Sequence, residues 1–90
     1  SLTAASPALV ARVSALLADT LGISPARAQG WHRSTPLFGD LPELDSMAVA
    51  TVLTRIEDSF GILIDDADVG ADLFRDLGSL ADFVASKQRG

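Results

Sequence analysis

The strongest constraint on the fold is a run of apolar residues at helical spacing, in segments closed at both ends by residues that start and stop helices. No alternating stretch of strand period interrupts them. Ser6-Pro7 pairs a cap with proline at the first helical position. Leu9, Val10, Val13, Leu16 and Leu17 follow along one helical face, and Gly22 ends the segment. Ser24-Pro25 repeats the start signal, but Gly30 allows only a turn or two. A long loop from Gly30 to Asp45 carries Gly30, Pro36, Gly39 and Pro42, and loops of this length in compact domains tend to be functional. Its apolar members Trp31, Leu37, Phe38, Leu41 and Leu44 predict a loop packed down on the core.

A second long helix is expected from Asp45-Ser46, with Val49, Val52, Leu53, Ile56 and Phe60 on its inner face and Gly61 as its stop. Ile62-Leu63-Ile64 and the acidic stretch Asp65-Asp66-Ala67-Asp68 come next. A short helix fits Ala71 to Asp76. Ser79-Leu80-Ala81-Asp82 has the form of a capping box that opens a last helix to about Lys87, with Leu80, Phe83 and Val84 buried. The expectation is an all-α fold: three longer helices and one short one, with a long loop between the first two longer helices. The 90 residues suffice for one domain, read as 1–90.

Composition removes several function classes. Twelve acidic residues against seven basic give a net charge of −5, opposite to what a nucleic-acid surface requires. The absence of cysteine excludes a disulfide framework, a thiolate zinc site and a cysteine nucleophile. With His32 the lone histidine and no tyrosine, a hydrolase built on its own side chains is poorly supplied, and His32 lacks a second group in sequence to orient it. Trp31 reads as a loop anchor. Residues 65–72 imitate a calcium loop, but glycine falls one place early and Leu77 stands where a bidentate glutamate is required, so no metal site is expected. No apolar run reaches the ~20 residues of a membrane span. Ser1 to Leu21 is broken by Arg12 and Asp19 and has no basic leader, so it is not read as a secretion signal. A cytoplasmic monomer that is not an enzyme is the expectation.

The outer face of the second long helix is informative. Opposite its apolar stripe lie Met47, Thr51, Thr54 and Asp58, with Arg55 beside them. Met47, in the first turn, is expected to be exposed as a soft partner contact. Ser46 admits two roles. It can cap the helix, or it can carry a phosphodiester, which the free N–H groups and positive end of the helix would favour.

The stretch from Leu37 to Met47, which ends Pro42-Glu43-Leu44-Asp45-Ser46-Met47, resembles the attachment region of acyl and peptidyl carrier proteins. The likeness continues through the Val49–Phe60 helix, Leu73-Phe74 and Leu77 to Val84, and covers about Leu9 to Lys87. It implies an acyl-carrier-like four-helix bundle. It also implies that Ser46 carries 4′-phosphopantetheine and that Asp45 is the acidic residue read by a phosphopantetheinyl transferase. By the same resemblance, Ser46 Oγ attacks the β-phosphate of coenzyme A, and the thiol so acquired holds acyl or aminoacyl groups as thioesters. Loading ligases and accepting synthases or transferases would be further partners, met through Asp45, Met47, Thr51, Thr54, Glu57 and Asp58.

Met47 replaces the family's leucine, a volume-conserving change. Ala48 and Thr51 stand where fatty-acid carriers are often acidic, Arg55 adds a positive charge, and the glycine usual before the motif is absent. These departures imply an accessory pathway, and the motif is similar to carriers of bacterial exopolysaccharide clusters. Residues 40–76 hold ten acidic side chains against Arg55 and Arg75, a local charge of −8, while the remainder sums to +3. An acidic half of this kind would steer basic partners into fast, weak encounters. The competing reading is a small acidic helical interaction module that never carries a cofactor, with Ser46 only a cap.

Overall fold

A computed structural model describes residues 4–70 and 72–89. Four α-helices run in the order α1 (Pro7–Leu21), α2 (Pro25–Ala28), α3 (Ser46–Phe60) and α4 (Leu77–Arg89), with a 3₁₀ turn at Asp66–Asp68. The described residues contain no strand, only an isolated bridge between Pro36 and Asp76. The helices start and stop where their local chemistry dictates. Ser6 Oγ accepts the Leu9 N–H at 3.1 Å ahead of Pro7. Gly22 and Gly61 close α1 and α3 in the left-handed conformation, at φ 70° and 65°, which glycine adopts without a Cβ penalty.

α1 packs against both α3 and α4. Val13 and Leu17 of α1, Val52 and Ile56 of α3, and Leu77, Leu80 and Val84 of α4 are fully buried and form the centre of the core. Leu37, Leu41 and Leu44 pin the long loop to it. Phe38 departs from the expectation: it is 55% exposed. Its N–H is spent on the Phe74 carbonyl at 2.9 Å, and it sits in the turn that the Leu37 carbonyl closes onto the Asp40 and Leu41 N–H groups, so Leu37 and Leu41 face the core while Phe38 is left outside.

Two further expectations are corrected. The short helix is α2, not Ala71–Asp76. Ala71 lies outside the described residues, and 72–75 form turns. The Leu73 and Arg75 N–H groups reach back three residues, to the Gly70 and Asp72 carbonyls, rather than the four of an α-helix, and the Phe74 and Arg75 carbonyls tie the segment to the long loop by accepting the N–H groups of Phe38 and Leu37. The last helix opens at Leu77 rather than Ser79, because Asp76 Oδ1 accepts the Ser79 N–H at 2.7 Å and so caps it. Asp82 is no part of a capping box. It accepts the Ala5 N–H at 2.8 Å and forms a two-pronged ion pair with Arg33. Gly78 permits this junction: a Cβ there would lie 3.0 Å from the Arg33 carbonyl, which accepts the Gly78 N–H.

The Arg33 guanidinium holds the Asp82 carboxyl below its ordinary pKa, against the opposing cost of burial and with the Ala5 N–H adding to the lowering. A depressed carboxylate stabilises the fold at neutral pH, and that contribution disappears as pH falls from about 4 through the lower folded value. Melting curves between about pH 6 and pH 2.5 should therefore show a shallower acid decline for Asp82→Asn than for the wild type. Equal declines would mean that the pair contributes nothing.

Candidate functional site

The Gly30–Asp45 loop ends at the N-terminus of α3, and three contacts set its geometry. Leu44 is buried, which fixes the residue before the cap. Glu43 is gripped by both guanidinium nitrogens of Arg27 on α2, the Arg27 Nη2 lying 3.2 Å from Glu43 Oε1. The pair raises the Arg27 pKa and lowers that of Glu43. Asp45, in extended conformation, accepts the Ala48 N–H on its Oδ1 at 2.8 Å and is the N-cap.

Ser46 is therefore the first residue of the helix and not its cap. It is exposed, and among the described residues its hydroxyl enters no hydrogen bond. The N–H groups of Ser46 and Met47 likewise have no protein acceptor among those residues. An unengaged hydroxyl beside unpaired N–H donors at the positive end of a fifteen-residue helix suits a phosphodiester on that oxygen. The residues present thus fit a covalent phosphate-linked group at Ser46.

The other candidates fall into two sets. Met47, Thr51, Thr54 and Asp58 share the solvent face of α3, and Met47 is 82% exposed. Glu57 is not on that face. It is half-buried, and its Oε2 accepts the Ile64 N–H at 2.8 Å, a contact that shapes the chain leaving the helix. Arg55 is also withdrawn, with Nη1 2.7 Å from Asp19 Oδ2 and 3.0 Å from Thr20 Oγ1 on α1. His32 is exposed, and its Nδ1 accepts the Ser34 N–H. Trp31 is half-buried and lines a groove of about 700 Å³ between α1 and α2, whose walls do not include Ser46. Among the described residues no group of three or more His, Asp or Glu side chains is placed to hold a metal ion. No described helix is long and apolar enough to cross a membrane.

Arg27 is the site residue that sequence reading missed. Its partner is sixteen positions away across a loop, and no local pattern links the two.

Comparison with known proteins adds two findings. A family model described as a phosphopantetheine attachment site matches residues 11–84. The chain is also similar to a holo acyl carrier protein from Nitrosomonas europaea solved by solution NMR. The identity is 40% and the TM-score 0.84, over 94% of this chain and 100% of that one. No curated protein matches.

Proposed function

We propose a function from one premise: the chain belongs to the phosphopantetheine-attachment family, the carrier proteins. It is therefore a carrier rather than an enzyme, and it bears 4′-phosphopantetheine covalently. The proposal adds that Ser46 is the attachment residue, that residues 1–90 act as one carrier domain, and that the cargo is acyl. The observation that carries the first point is the exposed, unengaged Ser46 hydroxyl at the start of α3, with capping assigned to its neighbour Asp45. An acyl cargo is supported by the similarity to the Nitrosomonas acyl carrier protein.

In this reading the chain's own residues perform three tasks. Ser46 offers its Oγ as the nucleophile toward the β-phosphate of coenzyme A, giving its proton to a base on the transferase as 3′,5′-adenosine bisphosphate leaves, and no group among the described residues holds the oxygen. The free N–H groups of Ser46 and Met47 and the helix dipole stabilise negative charge on that oxygen. Asp45 holds the first turn in place and leaves an anionic mark beside the serine for a transferase to read. When attached, the group supplies the thiol this cysteine-free chain lacks, and with it a thioester reactive enough to pass an acyl group on.

The proposed partners are a phosphopantetheinyl transferase, an acyl-loading ligase, and an accepting synthase or transferase of an accessory lipid, polyketide, peptide or exopolysaccharide pathway. The proposed setting is the cytoplasm, where coenzyme A and such transferases meet. The test is an intact mass after incubation with coenzyme A, Mg²⁺ and a broad-specificity transferase. One added phosphopantetheine is expected. No gain, under conditions that modify a control carrier, would favour the cofactor-free interaction module.

A further inference from the structure

α2 buries no side chain, and among the helices it packs only against α1. Its Arg27 nevertheless reaches the loop that leads into α3, and it does so at a turn. Leu41 and Leu44 are buried, the Leu44 N–H donates to the Leu41 carbonyl at 3.0 Å, and Pro42 and Glu43 form the corner between them. The two leucines hold the ends of the turn. Arg27 holds its corner, with two guanidinium nitrogens on the two Glu43 carboxylate oxygens, Nη2 lying 3.2 Å from Oε1.

Such a pair does little for stability. The two side chains are 47% and 32% exposed, and ion pairs open to water contribute little to folding. What a two-pronged pair adds is direction, because parallel N–H···O bonds fix the angle between the partners as well as their distance. Here the angle is imposed on the backbone three residues before Ser46 and two before its neighbouring cap, Asp45. The loop has a second two-pronged pair, Arg33 with Asp82, but that one ties it to α4.

We propose that Arg27 is a positioning residue for attachment at Ser46: its grip on Glu43 sets the course of the turn, so that the Ser46 hydroxyl meets the transferase in one orientation. The proposal rests on the carrier reading and adds a residue to it. A reacting group displaced by about 1 Å can lose a factor of about 100 in rate. A contact that matters little to folding can therefore matter to transfer.

The alternative is that the pair acts only as charge, by setting how acidic the surface beside Ser46 is. The two differ in sign. Arg27→Gln makes that surface more acidic and Glu43→Gln makes it less so, and a basic transferase surface would respond to them in opposite directions. Loss of the grip is common to both variants, so positioning lowers transfer in both. A pair that merely stabilised the fold would leave transfer unmoved wherever every variant is folded.

The experiment measures kcat/KM for modification by a broad-specificity phosphopantetheinyl transferase with coenzyme A and Mg²⁺, well below the melting transition of every variant. Losses of about fivefold are expected in Arg27→Gln and in Glu43→Gln. The double variant should lose no more than either single one, and the exchanged pair, Arg27→Glu with Glu43→Arg, should recover to within about twofold of the wild type. Arg33→Gln, which opens the other pair, should also stay within about twofold. Single changes of opposite sign, single variants as fast as the wild type, an exchanged pair that recovers nothing, or an equal loss in Arg33→Gln would each overturn the positioning role and leave the carrier reading intact. Failure of the wild type to be modified at all would instead strike the carrier reading itself.

Discussion

Ser46→Ala should accept no phosphopantetheine from a transferase that modifies the wild type to completion, and it should melt at nearly the same temperature. Both halves follow from the same geometry. The hydroxyl is the proposed nucleophile, so its removal eliminates the reaction instead of slowing it. It is also exposed and makes no hydrogen bond among the described residues, because the cap belongs to Asp45. Surface substitutions free of such contacts change stability by about 0.5 kcal/mol or less. A variant that still gains the group would move the attachment elsewhere. A variant that melts far lower would show that the oxygen supports the fold.

Ile56→Ala should produce the largest loss of stability among single changes in α3. Ile56 is fully buried in the core that α3 shares with α1 and α4, and Val52 lies one turn before it. Truncating a buried isoleucine costs about 2–5 kcal/mol through lost transfer free energy and the cavity left behind. A domain of this size holds about 5–15 kcal/mol in all, so the melting temperature should drop by about 10 °C or more. Urea unfolding should shift to a lower midpoint at unchanged slope. Near-neutrality would mean that the inner face of α3 is rotated from its described position. Met47→Ala, from the opposite face, supplies the contrast: little change in melting and a loss in partner docking.

Much of this fold is legible in the chain because its determinants are local. Ser6-Pro7 and Gly22 bound α1, and Asp45 and Gly61 bound α3, each within one turn of the residues they act on. The steps from Val49 to Phe60 locate the inner face of α3, although only Val52 and Ile56 are buried outright and the others are half-covered. The exposure of Met47 follows from the same wheel.

What escaped reading depends on partners far along the chain. Ser79 and Asp82 have the spacing of a capping box, but Asp82 is claimed by Arg33, forty-nine positions away, and Asp76 caps the helix instead. The stretch fitted to a short helix, Ala71 to Asp76, folds instead as turns whose Phe74 and Arg75 carbonyls are tied to Phe38 and Leu37 of the distant loop. At the site, Asp45 and Ser46 could be named from sequence, but which of the two caps the helix could not. Extended φ and ψ at Asp45 and its contact with the Ala48 N–H decide that. Glu57, expected on the partner face, is turned aside because Ile64, whose N–H it accepts, belongs to the segment after the helix, and the surface pair of Arg55 with Asp19 on α1 is equally out of reach of local pattern.

The most direct measurement of the central claim is fragmentation of the modified protein after trypsin. Cleavage after Arg33 and Arg55 releases residues 34–55, a peptide that contains Ser34 as well as Ser46. Phosphopantetheine carried wholly on Ser46 is the result expected here. The same mass found on Ser34, on Ser59 or Ser79 in other peptides, or on no residue of the chain, would contradict it.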